Sequence, residues 1–375
     1  MKIHSVTEAD VRGKRVLLRT SLNLPILADG SVGDLFRLKR GLATIQYLTS
    51  HGAKVVLVGY IGRDPKQSLR PVAEALQKLV PDIKINFTDK YPHDCHDDVA
   101  NLPDGECLML ENMRREPGEE TNDSTIVKTL ASLADLFVED SFAEAHRAYA
   151  SNVGVAKLLP SFAGLLLEEE IARLTEALTP PKNSLAIIGG AKFETKVPLI
   201  EKIISIYPTL LLGGALASDM LRARGMPTGR SLSSDTKLPT VIAKSDQIHV
   251  PSDVVVESDG WRQARATDVR QCEMIVDIGA QTATDWAKRI AEAEFVLWNG
   301  PMGVYERGYV NGVAALARAL AESPCKAVIG GGDTVAALDQ FTFDPARVFI
   351  STGGGATLDF LANGGSLPAL EVLKR

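Results

Sequence analysis

The chain is poor in the features that mark secreted, membrane-spanning and metal-caging proteins. Only four of its 375 residues are cysteine (Cys95, Cys107, Cys272 and Cys325), and no two have CxxC spacing. That pattern excludes a disulfide framework and a thiolate cage, and it fits reduced thiols in the cytosol. No apolar run is long enough to cross a bilayer, and Met1-Lys2-Ile3-His4-Ser5 opens no apolar signal segment. Both absences lead to the expectation of a cytoplasmic protein. Charge of one sign is lacking too: 41 Lys and Arg face 47 Asp and Glu, a net −6, with the cations scattered. This argues against nucleic acid or a membrane surface as partner. There is no GxxxxGK[ST] loop, no GxGxxG opening the first half and no protein-kinase signature set. His93-Asp94-Cys95-His96-Asp97-Asp98 is metal-like in composition but lacks paired zinc spacing, and reads as a surface loop.

What the chain does have is glycine in clusters. Leu185-Ala186-Ile187-Ile188 runs into Gly189-Gly190-Ala191-Lys192. Ala327-Val328-Ile329 runs into Gly330-Gly331-Gly332-Asp333-Thr334, and Val348 to Thr352 runs into Gly353-Gly354-Gly355-Ala356-Thr357. Each cluster ends an apolar run and precedes a helix-like segment. Glycine lets backbone N–H groups approach an anion, and a helix start adds unpaired N–H groups and the positive end of its dipole. Three such turns in one half imply a surface that holds several phosphates.

The length exceeds what one hydrophobic core usually spans, so two domains are expected. In the first half, strand-like runs (Arg15–Arg19, Lys54–Val58, Lys84–Phe87, Cys107–Leu110, Leu136–Val138) alternate with helical segments over Arg37–Ser50, Leu69–Leu79 and Ser124–Ala134. The second half repeats the plan with Leu185–Ile188, Thr209–Leu212, Val254–Val256, Met274–Ile278, Phe295–Trp298, Ala327–Ile329 and Val348–Ile350. Such alternation predicts α/β architecture: two doubly wound, Rossmann-like parallel sheets covered on both faces. Gly164 to Leu178 reads as one connecting helix stopped by Thr179-Pro180-Pro181, which places a hinge at 164–181 with the two domains facing a cleft.

In open α/β sheets ligands bind beyond the carboxyl ends of the strands. Arg19, Arg37, Arg63, Arg114, His146 and Arg147 fall at or after such ends in the first half. A single arginine there is ordinarily a solvated charge, but the recurrence points to an anionic small-molecule site, since Arg grips phosphate and carboxylate bidentately. In the second half Lys192 and Lys196, four apart at a helix start, share one face beside Gly189-Gly190. Asp333 is placed either to meet a magnesium ion bridging phosphates or to cap its helix. Glu306, after Trp298-Asn299-Gly300-Pro301-Met302-Gly303, is a candidate for ribose hydroxyls or for a turn cap.

Over essentially its whole length the chain resembles the phosphoglycerate kinase family. The likeness rests on Arg19-Thr20-Ser21-Leu22-Asn23-Leu24-Pro25, Tyr60-Ile61-Gly62-Arg63, Leu110-Glu111-Asn112-Met113-Arg114 and Ala145-His146-Arg147-Ala148, then on the glycine turns and Trp298 to Gly303, all in order. The resemblance implies reversible phosphoryl transfer between ATP and 3-phosphoglycerate in glycolysis, giving ADP and 1,3-bisphosphoglycerate, by a cytoplasmic monomer with Mg²⁺ and domain closure. It implies an acid-substrate domain over 1–163, a nucleotide domain over 182–362 and a tail, 363–375, that returns to the first domain. It implies that Arg19, Ser21, Asn23, Arg37, Tyr60, Arg63, Arg114, His146 and Arg147 serve the acid. Gly190, Lys192, Lys196, Gly214, Asn299, Gly300, Glu306, Gly331, Gly332, Asp333 and Thr334 would serve the nucleotide, with Asp333 as metal ligand. Arg37, Lys192 and the N–H groups of Gly353, Gly354 and Gly355 would stabilise the transferring group.

The departures gather in the acid half. Ser21 stands where the family has an aspartate that contacts the substrate hydroxyl, and Tyr60 and Tyr149 replace histidines. Arg115 and Glu144 are also unusual, while in the second half Gln281 replaces a common lysine and Ser218 an asparagine. A hydroxyl can still bond a hydroxyl or a phosphate, so a working enzyme with a re-formed pocket is the expectation. The alternatives are a silent nucleotide-binding paralogue, a kinase of another phosphorylated acid, or a nicotinamide-dependent dehydrogenase, which the missing GxGxxG and the arginines disfavour.

Overall fold

The computed structural model describes residues 2–191, 193–234 and 238–374. Lys192, expected at both the nucleotide and the transferring group, lies outside the described residues. The chain divides into two compact units, Met1–Ala172 with Ser366–Arg375, and Arg173–Gly365. The division falls inside the helix Leu165–Leu178.

The first unit is built on strands β1 (Arg15–Arg19), β2 (Lys54–Val58), β3 (Ile85–Phe87), β4 (Cys107–Met109), β5 (Leu136–Glu139) and β6 (Ser161–Ala163), in the order β3-β4-β2-β1-β5-β6. Every pairing is parallel. Successive side chains of a strand point to opposite faces, and here both faces are buried. Val16, Leu18, Val55, Leu57 and Met109 enter one apolar cluster, whereas Leu17, Val56, Val58, Leu108 and Phe137 enter the other. That is why these strands read as unbroken apolar runs. The helix expected over Arg37–Ser50 is two, Phe36–Arg40 and Leu42–Ser50, separated at Gly41. A Cβ at Gly41 would stand 3.1 Å from Thr20 Oγ1. The tail segment packs within this unit, with Ala369 donating its N–H to Ala145 O at 3.0 Å.

The second unit holds β7 (Ser184–Ile188), β8 (Thr209–Leu212), β9 (Ile248–His249), β10 (Asp253–Glu257), β11 (Trp261–Arg265), β12 (Met274–Ile278), β13 (Phe295–Asn299), β14 (Lys326–Gly330) and β15 (Val348–Ile350). Six of them form a parallel sheet in the order β15-β14-β13-β7-β8-β9. The sequence pattern also assigned Val254–Val256 and Met274–Ile278 to that sheet, and here the structure differs. β10 and β12 belong to a separate antiparallel sheet, with β10 between β11 and β12. The physical reason is the turn after β10, where Ser258 N–H bonds Gly260 O at 2.9 Å. A tight turn returns the chain antiparallel, whereas a parallel neighbour needs a crossover of a dozen or more residues.

Candidate active site

In the first unit the arginine-bearing loops leave the carboxyl ends of β1, β2, β4 and β5, and three asparagines lace them together. Arg37 Nη1 donates to Asn23 O at 3.3 Å, and Asn23 Oδ1 accepts from Gly62 N–H at 2.9 Å. Asn112 takes Ile61 N–H at 3.2 Å and Arg114 N–H at 3.1 Å on its Oδ1, and its amide donates to Ile61 O and Gln67 O. Asn152 receives Tyr149 N–H at 2.8 Å and donates to Arg147 O at 2.9 Å. Gly62 sits at φ +64°, a left-handed value that favours glycine. The turn it makes leaves Arg63 exposed.

These basic side chains occupy different depths. Arg37 and His146 are half-buried, and Arg63 and Arg147 are exposed, with Arg147 Nε 3.1 Å from His146 Nε2. Arg114 lies with its guanidinium carbon 4.4 Å from the Tyr60 ring centroid and 5.5 Å from that of Tyr149, and it pairs with Glu120. Arg19 and Ser21, by contrast, are 1% and 3% exposed. Arg19 Nε donates to Ser151 Oγ at 3.0 Å, and its Nη1 lies 3.8 Å from Glu144 Oε2. Ser21 Oγ lies 2.8 Å from Ser141 Oγ and donates to Glu144 Oε2 at 3.3 Å, while Ser141 also donates to Glu144. Glu144 therefore supplies a carboxylate beside Ser21, and the arginine and serine expected at the substrate are joined to it inside the protein.

Beneath this cluster lie Glu139 and Asp140, buried carboxyls at the end of β5 that no motif in the sequence singled out. Burial pushes Glu139 up to about 8, against the pull of Arg19. Burial likewise pushes Asp140 up to about 7, against its hydrogen bonds from Thr44 and the backbone of the connecting helix. Glu120 is a third residue that the sequence patterns did not single out.

In the second unit the glycine turns meet where β7, β13 and β14 end. Gly190, Gly300 and Gly331 have φ of +102°, +101° and +97°. A Cβ at Gly300 would stand 2.2 Å from Gly189 O, and one at Gly214 would stand 2.8 Å from Gly190 N. Only glycine admits this approach of backbone to backbone. Lys196 Nζ reaches into the junction, donating to Gly189 O at 2.7 Å and Asn299 Oδ1 at 2.8 Å. Lys196 is thus turned into the junction of the turns and not toward solvent. Burial lowers its pKa to about 8, with Asp333 acting in the opposite sense. Thr334 is buried, and its hydroxyl takes Gly300 N–H at 2.6 Å and donates to Gly330 O at 2.8 Å, so it clips two turns together. Asp333 is exposed, 3.4 Å from Tyr305 Oη, and the cap position of its helix belongs to Gly331. The capping alternative for Asp333 is thereby removed. The third turn begins the helix Gly355–Ala362, with Gly353 N–H held by Ser351 Oγ at 3.1 Å and Gly354 at φ +52°.

Beside these turns opens a cavity of about 290 Å³, lined on its apolar side by Leu232, Met274, Val276, Met302 and Val304. Gly190, Gly214, Ser218, Glu306 and Asp333 share its wall. Gln281 does not. It is exposed and donates to Asp285 on its own helix at 3.0 Å. Among the described residues no group of three or more His, Cys, Asp or Glu is placed to cage a metal, and His93–Asp98 lies on short helical turns.

The phosphoglycerate kinase family model matches residues 6–364. The phosphoglycerate kinase of Maricaulis maris is 39% identical, aligned over 99% of this chain and 98% of its own. That of Thermus thermophilus is 38% identical over 99% of this chain and all of its own. Among solved structures, phosphoglycerate kinase from Coxiella burnetii superposes with a TM-score of 0.84 at 33% identity, covering 99% of this chain and 98% of that one. The Pyrococcus horikoshii enzyme gives 0.87 at 29% identity with the same coverage. Sequence and fold agree along the length of both partners, and the chain belongs to the phosphoglycerate kinase family.

Proposed function

We propose that the chain transfers a phosphoryl group reversibly between ATP and the carboxylate of 3-phosphoglycerate, giving ADP and 1,3-bisphosphoglycerate. The observation that carries the assignment is the contrast between the units at their strand ends. One presents arginines on asparagine-laced loops, and the other presents glycine turns, Lys196 and an apolar cavity. The first suits a small acid with two anionic groups, and the second suits a nucleotide, with phosphates on the turns and a base against Met302 and Val304.

A carboxylate is already ionised near neutrality, so the reaction needs no general base. Catalysis is then positioning and charge stabilisation of an in-line transfer. In this proposal Asn23, Arg63, Arg114, His146 and Arg147 orient the acid, and Tyr60 offers a hydroxyl. Arg37 and the N–H groups of Gly353 to Gly355, with Lys192, meet the equatorial oxygens. Arg19 and Ser21 act from beneath through Glu144, positioning the patch rather than gripping the ligand. Lys196, Gly190, Gly214, Asn299, Gly300 and Gly331 to Thr334 shape the phosphate site, and Glu306 meets the ribose. A magnesium ion fits Asp333, because Mg²⁺ keeps most of its waters and is held by one or two carboxylates together with substrate phosphates. When bound it would neutralise phosphate charge during transfer.

The groups assigned to the acid and to the nucleotide belong to different units, so transfer requires closure about the helix Leu165–Leu178. We further read the protein as a cytoplasmic monomer acting on small molecules alone. Among the described residues no helix is long and apolar enough to cross a membrane. Arg37→Ala tests the division of labour. Turnover should fall by roughly a hundredfold or more while Mg-ATP affinity stays within about twofold. Equal losses in both would reject the role given to Arg37.

A further inference from the structure

Arg114 has a second occupant for its charge. Its guanidinium is held between the rings of Tyr60 and Tyr149, and its backbone N–H is fixed by Asn112 Oδ1 at 3.1 Å. Nη1 pairs with Glu120 Oε1, and Nη2 lies 3.4 Å from Tyr149 Oη. That hydroxyl in turn donates to Glu120 Oε1 at 3.1 Å, closing a triangle of arginine, tyrosine and glutamate. The pair is lopsided. The side chain of Arg114 is 15% exposed and that of Glu120 is 54% exposed. The neighbouring Glu119 is buried and takes the N–H and hydroxyl of Ser151, so it anchors the loop while Glu120 points outward. The cation is therefore fixed and the carboxylate is the partner that can leave.

We propose that Glu120 is an internal competitor for the acid site: its carboxylate holds the Arg114 guanidinium until an anionic group of the substrate takes its place. The inference rests on the assignment of Arg114 to the acid substrate and adds what that site exchanges on binding. A guanidinium flanked by two aromatic rings is costly to leave unpaired. Exchange of one anion for another keeps it paired at every stage. The cost of releasing Glu120 is subtracted from the affinity of any anion that binds there. A monoanionic carboxylate gains little by replacing another carboxylate, whereas a phosphate dianion brings more charge and a third oxygen. Glu120 thus lowers the affinity of every anion at Arg114 alike, and a phosphate group has the charge to meet that cost.

The test is calorimetric titration of the full chain with 3-phosphoglycerate and, separately, inorganic phosphate. Glu120→Gln should tighten both by a similar factor, roughly two- to fivefold, the range for a partly exposed ion pair. The same substitution in an Arg114→Ala background should change neither. Affinity that is unchanged or weaker in Glu120→Gln, with an unaltered unfolding midpoint, would overturn the proposal, since Glu120 would then be a holder of Arg114 and not its competitor. Should Glu120→Gln fold poorly, Glu120→Ala carries the same expectation. If the parent chain binds phosphate but not 3-phosphoglycerate, the acid assignment falls, and the phosphate titration still decides the exchange. If the parent binds neither anion, both fall.

Discussion

Burial lowers the pKa of Lys196 to about 8, so at neutral pH its charge is held near its limit. Two consequences of opposite sign follow. A cationic lysine attracts phosphate and a neutral one does not, so Mg-ADP affinity should fall as pH rises through about 8. Lys196→Arg should flatten that fall, because guanidinium does not titrate in the range. Stability runs the other way. Between about 8 and ~10.4 the unfolded chain binds the proton that the folded one has shed, so the Lys196 contribution rises with pH across that window. Titration calorimetry and thermal unfolding over pH 7 to 10 separate the two trends. The buried residues at this scale were the least legible ones. Arg19 closes a strand end and Ser21 belongs to a segment that carries the family resemblance, and neither fact tells that both side chains are buried. Glu120 carried no signal, because its meaning comes from Tyr149 and Arg114, brought to it only by folding.

At the scale of elements the parallel sheets were legible, because strands buried on both faces are written as continuous apolar runs. Val254–Val256 is such a run too, yet it lies in the antiparallel sheet. Periodicity reports burial and is blind to which strand is the neighbour. The distinguishing mark was Asp259-Gly260, a hairpin signal, followed by Trp261–Arg265, whose alternation leaves only Ala264 buried. The glycine turns were legible as well, but their dependence on one another was not. Gly300→Ala would drive a Cβ to 2.2 Å from Gly189 O at a φ of +101°. The expected cost is about 3 kcal/mol or more, with loss of nucleotide binding, read by denaturant unfolding and ADP titration. Gly332→Ala meets nothing within 4 Å and should cost far less.

At the scale of the whole molecule, two compact units with separate cores predict two thermal transitions. The first unit should weaken with rising pH. Glu139 and Asp140, raised by burial to about 8 and about 7, keep protons in the folded unit that the unfolded chain releases above ~4.5. Their contribution is full below the unfolded values and is lost as pH rises through 7 to 8. Glu139→Gln should reduce that loss, as scanning calorimetry between pH 5 and 9 would register. The central claim is that one chain joins an acid site to a nucleotide site for phosphoryl transfer. The measurement that tests it most directly is ADP formation from Mg-ATP with 3-phosphoglycerate as acceptor, run beside other phosphorylated acids. We predict turnover with 3-phosphoglycerate that greatly exceeds turnover with the others and collapses in Arg37→Ala. Turnover with a different acid alone, or nucleotide binding with no turnover at all, would contradict it.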